Sequence, residues 1–126
     1  MTDGSRKLGE QAKEAIRLAY SEDRAVVAAI TPWEIALLVS KGRLTLERDV
    51  LAWIQAALDV PGVRLAPLSA EIAVASTRLP WEMHADPADR ILVATARHLG
   101  ATLVTADGAL LDSSRNGHFK ALDAGG

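Results

Sequence analysis

Apolar positions recur along this chain in two alternating rhythms. Leu8, Ala12, Ala15, Ile16 and Ala19 repeat at the interval of a helix stripe, which predicts an amphipathic helix over residues 8–20. Residues 25–30 are continuously apolar and partly β-branched, the pattern of a short buried strand. Thr31-Pro32-Trp33-Glu34 then places a capping threonine, a first-turn proline and a glutamate at the third helical position, predicting a helix that closes near Gly42. A further helix over 46–58 turns Val50, Leu51, Ile54, Ala57 and Leu58 inward; Pro61-Gly62 breaks it, and residues 63–67 read as a second strand. Ser69 caps a helix whose stripe is Ile72, Ala75 and Leu79. After a loop over 80–85, Asp86-Pro87 opens a helix over 87–99 that Gly100 ends; residues 101–105 form a third strand and 119–122 a weak fourth.

Strand and helix therefore alternate throughout, without internal repeat or low-complexity linker. Parallel neighbours need crossover connections and helices supply them, so the order predicts an α/β fold with a mainly parallel sheet covered by helices on both faces. The chain opens on a helix, whereas folds of this type usually begin with a strand that becomes central.

Length and composition narrow the chemistry. With 126 residues, 49% of them apolar and 24% charged, one domain with a single core is expected. No apolar run approaches the roughly 18 residues of a membrane span, and the first residues lack the apolar stretch of a secretory signal, so a cytoplasmic protein is expected. The absence of cysteine removes disulfides, thiolate metal sites and a cysteine nucleophile, leaving carboxylates, imidazoles and backbone oxygens to hold any metal. A net charge of −2 is far from the basic footprint of a protein that grips nucleic acid by charge alone.

In open parallel sheets the ligand sits beyond the carboxyl ends of the strands. Three acids fall there. Glu34 follows the first strand and heads a stripe with Leu37, Leu38 and Lys41; Asp89 tops the inward stripe of Leu92, Val93 and Ala96; Asp107 lies two residues past the third strand. Converging carboxylates repel and raise one another's pKa, and a divalent cation relieves that repulsion most directly. Oxygen-only donors point to Mg²⁺ or Mn²⁺. Helix capping competes with this account for each acid singly: Thr31-x-x-Glu34 is a capping box, Asp86-x-x-Asp89 an N-cap with a first-turn acid, and Asp107-Gly108 a turn signal. The histidines at 84, 98 and 118 share no spacing that suggests a site and read as loop or surface residues, while Trp33 and Trp53 read as packing residues.

Three segments carry a resemblance over essentially the whole chain. Trp33-Glu34-Ile35-Ala36 with Lys41-Gly42-Arg43-Leu44, then Leu79-Pro80 with His84-Ala85-Asp86-Pro87-Ala88-Asp89-Arg90 and Ile91-Leu92-Val93-Ala94, then Leu103-Val104-Thr105-Ala106-Asp107, resemble the PIN-domain toxins of the bacterial VapC type. The resemblance implies a PIN-like three-layer α/β/α sandwich with a mainly parallel central sheet. It also implies a metal-dependent endoribonuclease acting on RNA phosphodiesters, and a cognate antitoxin that blocks the acidic cleft. Glu34, Asp89 and Asp107 match the family's catalytic, metal-holding acids, with Asp86 and Thr105 as accessory residues. The family opens with a strand ending in Asp-Thr or Asp-Ser. Here residues 3–8 resemble the stretch after that strand, so the first strand and its aspartate are expected to be missing.

Arg90 and Arg43 lie near the proposed edge as candidates to steer phosphate. No glycine-rich phosphate loop follows any strand, and the second strand is followed by Leu68-Ser69 rather than an aspartate, which argues against nucleotide-binding and phospho-acceptor folds. The remaining rival is a truncated, catalytically impaired module that mainly binds an antitoxin or oligomerises through its helices over 31–59. In either case a homodimer or a toxin–antitoxin hetero-oligomer is expected.

Overall fold

The computed structural model describes residues 10–22, 24–83 and 86–125. Residues 3–8, the first two positions of the predicted opening helix, His84 and Ala85 lie outside this set. The elements run α1 (Glu10–Ser21), β1 (Ala25–Ala28), α2 (Ile30–Ser40), α3 (Val50–Leu58), β2 (Val63–Ala66), α4 (Ala70–Thr77), α5 (Pro87–Leu99), β3 (Thr102–Thr105), α6 (Gly108–Ser114) and β4 (Lys120–Asp123). Among the described residues no helix is long and apolar enough to cross a membrane.

Every strand pairing is parallel, as helical crossovers require. One expectation changes. In place of a single central sheet, the described strands form two separate pairs: β1 with β2, in register Ala25 to Val63, and β3 with β4, in register Thr102 to Lys120. Helices tie the pairs together, because α1 packs against both β1 and β4, and α5 packs against both α2 and β3.

The buried centre lies around the second pair. Val93 is fully buried and packs with Leu110 and Phe119, ringed by Leu79, Trp81, Met83, Leu103 and Ala121. Trp81 is fixed on every side. Its indole stacks on His118 at 4.4 Å and on Phe119 at 5.9 Å, the Arg97 guanidinium lies 5.2 Å from the ring, and Nε1 donates to Ser113 Oγ at 2.9 Å. His118, read as a loop or surface residue, lies in the loop before β4 and is part of this stack, whereas His98 is exposed.

Other differences have local causes. Helix α4 buries Ser76 where Ala75 was expected, and Ala75 is exposed; the Ser76 hydroxyl donates to the Ala73 carbonyl at 2.7 Å, so its burial leaves no polar group unsatisfied. The helix predicted over 46–58 begins only at Val50, where Asp49 accepts from the Ala52 amide. Helix α6 was not foreseen at all.

Candidate active site

Asp86, Asp89 and Asp107 sit at helix starts and Glu34 stands just past the first turn of α2, and the way each helix begins decides what each carboxylate is free to do. Helix α2 starts at Ile30, with Ala29 in the N-cap position at φ −58° and ψ −26° and no side-chain cap. The Ala29 amide instead donates to the Ala66 carbonyl at the end of β2, so the chain passes from strand to helix under the control of the neighbouring strand. Thr31 is therefore already inside the helix, and the expected capping box does not form. Glu34 is left half-buried, with no capping task.

Helix α5 begins as predicted. Asp86 is the N-cap and its Oδ1 accepts from the Asp89 amide at 3.1 Å, followed by Pro87 in the first turn; Gly100, in the left-handed region at φ 62°, closes the far end. Asp89 is half-buried on the first turn. Its neighbour Arg90 is occupied: Nε donates to the Ser76 carbonyl at 2.9 Å and Nη1 to the Met83 carbonyl at 3.1 Å, which ties α5 to the end of α4 and to the loop that follows. Arg43 is exposed.

Asp107 caps α6. Its Oδ1 accepts from the amides of Ala109 at 2.8 Å and Leu110 at 3.2 Å, and its own amide donates to Thr105 Oγ1 at 3.1 Å. Both capping amides meet the same oxygen, so capping leaves Oδ2 for another role.

Electrostatics links three of these acids. Burial, then the charge of Asp89, then that of Asp86, pushes the Glu34 carboxyl above its ordinary value; Asp107 is not among the charges that raise it. The charges of Asp89 and Asp86, at the start of α5, thus act on Glu34 in α2. Among the described residues, no group of three His, Asp or Glu side chains stands close enough to hold a metal ion.

This arrangement, acids at or near helix starts in a parallel α/β fold, coincides with a family match over most of the chain: a PIN domain model covers residues 4–115. The chain belongs to the PIN-domain family. It is 37% identical over 101 residues to Ribonuclease VapC22 of Mycobacterium tuberculosis (strain ATCC 25618 / H37Rv), a stretch covering 80% of this chain and 74% of that protein.

Sequence reasoning missed the exposure of Trp33. The indole is 54% exposed beside Glu34, although it was expected to pack. The signal was available in the helix stripe, because Trp33 lies off the line drawn by Glu34, Leu37, Leu38 and Lys41.

Proposed function

We propose that this chain is a divalent-metal-dependent endoribonuclease toxin, restrained by a cognate antitoxin, with Glu34, Asp89 and Asp107 as its catalytic carboxylates. What supports the reading is the setting of Glu34: it is half-buried with no capping role, and burial first, then the charges of Asp89 and Asp86, push its carboxyl above its ordinary value, which a cation would offset. The donor set fits Mg²⁺ or Mn²⁺ in its chemistry, being oxygen-only and anionic. Glu34 and Asp89 would hold the ion, Asp107 would approach through the oxygen that capping leaves, and Asp86 and Thr105 would support from either side. What a bound divalent cation supplies is stabilisation of charge on the scissile phosphate and activation of water.

The protein's own residues define the rest. Asp86 fixes the first turn of α5 and thereby the position of Asp89. Thr105 fixes the backbone of Asp107 through the amide bond to its hydroxyl. Arg90 holds the loop before α5 against α4, so its contribution is to the shape of the site; the phosphate is left to the cation.

The related ribonuclease supports RNA as substrate, the resemblance of the motifs to VapC-type toxins supports an antitoxin as partner, and the chain's composition supports a cytoplasmic setting. Labelled RNA incubated with the protein should be cut in Mg²⁺ or Mn²⁺, spared in EDTA, and spared by Asp89→Asn. Cleavage that persists in EDTA would refute the metal-dependent reading. A second reading, an impaired module that mainly binds a partner or oligomerises, is favoured by the lack of a three-donor group among the described residues and by exposed Leu51 and Trp53 on α3. Failure of every RNA to be cut, with a folded protein that still forms a stoichiometric complex, would select it.

A further inference from the structure

We propose that Trp33 is a stacking platform for a nucleobase of the RNA, placed beside the carboxylates so that the base adjoining the scissile phosphate is held on its indole. This rests on the ribonuclease reading above and adds to it a positioning residue. Trp81 and Trp33 are used differently. Trp81 has its ring faces covered and its N–H bonded to Ser113, as a packing residue should. Trp33, among the described residues, has no hydrogen bond, no ring contact and no cation over its face, and it is 54% exposed.

Its position explains what such a ring could serve. Trp33 immediately precedes Glu34 on α2, so the two side chains leave the helix about 100° apart with a rise of about 1.5 Å. A phosphate held near the Glu34 carboxyl leaves its base one sugar away, within the reach of an indole from the adjoining residue. The net charge of −2 offers little electrostatic grip on the RNA backbone, which leaves stacking as an available source of affinity. Stacking also tolerates any base, since each has a π-face.

The test uses the full chain with a short single-stranded RNA. In EDTA, the RNA should quench indole emission; the quench should shrink in Trp33→Phe and be much weaker with a strand of the same length carrying abasic sites. In Mg²⁺, Trp33→Ala should raise KM about 5- to 150-fold with kcat changed far less, and Trp33→Tyr should restore most of the loss. Melting temperatures of Trp33→Phe and Trp33→Tyr should change little, because the ring is more than half exposed and each variant keeps an aromatic ring in its place. An equal quench from the abasic strand, an unchanged quench in Trp33→Phe, or an unchanged KM in Trp33→Ala would overturn the proposal. If Trp33→Ala keeps its kinetics but releases a protein that the native chain holds, the indole belongs to a protein partner and the proposal is wrong. If no RNA is cut in Mg²⁺ while base-dependent quenching by Trp33 remains, hydrolysis fails and stacking stands.

Discussion

Replacing Glu34 by glutamine should stabilise the folded protein at neutral pH while removing RNA cleavage. The amide keeps the shape of the side chain and deletes the charge that burial, Asp89 and Asp86 oppose. Two unit charges 4 Å apart repel by about 1 kcal/mol in water and about 4 kcal/mol at an effective dielectric of 20. Glu34 is only half-buried and the acids do not close to chelating distance, so solvent screens the charge and a gain of at most about 1 kcal/mol is expected. For a domain of this size that is about 3–5 °C in Tm. The pH dependence follows from the direction of the shift. Because the folded carboxyl binds its proton more tightly than the unfolded one, its contribution to stability is fully present below the ordinary value of 4.5 and is lost as pH rises through the raised folded value. The native protein and the Glu34→Gln variant should therefore melt together near pH 4, diverge as pH rises through that window, and keep a constant gap above it. Melts at several pH values in EDTA, followed by circular dichroism, measure this directly. A variant less stable than the native protein at pH 7.5, or a gap of equal size at pH 4 and pH 8, would refute the account of Glu34. Cleavage in Mg²⁺ should fall by at least the roughly 10- to 100-fold that follows removal of a residue merely supporting a metal ligand.

Three further outcomes are expected. Asp107→Asn should keep α6 capped and leave Tm nearly unchanged while lowering cleavage, whereas Asp107→Ala should also cost about 1 kcal/mol in a urea melt; equal activity in the native protein and the Asp107→Asn variant would reduce Asp107 to a cap. Arg90→Met removes charge-assisted hydrogen bonds to the Ser76 and Met83 carbonyls and should cost about 2–3 kcal/mol by denaturant unfolding; a loss below about 0.5 kcal/mol would show that these bonds do not hold the loop. Gly62→Ala should cost about 2–3 kcal/mol, since φ is +88° and the added Cβ would stand 2.7 Å from the Tyr20 carbonyl oxygen; an unchanged Tm would mean that α1 does not press on this turn.

What could be read from the residues was whatever local chemistry decides. The bounds of α5 follow from Asp86, Pro87 and Gly100, all of which act within a turn of themselves. The start of α2 was misplaced because a bond from Ala29 to Ala66 on another strand, rather than Thr31, sets it. Asp107-Gly108 reads as a turn, and only the burial of Leu110 in the distant core turns it into the first residues of a helix. The stack of Trp81 with His118 and its bond to Ser113 join positions far apart in the chain, so no spacing rule reaches them. At the site, the half-burial of Glu34 and Asp89 agrees with the stripes of apolar residues that they head. That Asp86, and not Asp107, is the second charge acting on Glu34 depends on how α2 and α5 pack, which periodicity does not encode.

The division of the described strands into two pairs should give the molecule two unequal cooperative units. The β3–α6–β4 crossover closes a loop about half as long as the one that joins β1 to β2, at a smaller entropic cost, and it contributes Leu110, Phe119, Leu103 and Ala121 to the main hydrophobic cluster. Amides of β3 and β4 should accordingly exchange with solvent by near-global opening, while those of β1 and β2 exchange through cheaper partial opening. Glu34 belongs to the weaker unit, and Asp86 and Asp89 stand on α5, which packs against the stronger one. Each partial opening would carry Glu34 away from its acidic neighbours, so a ligand bridging the three acids would act as a clasp between foldons, slowing exchange in β1 and β2 far from any atom it touches.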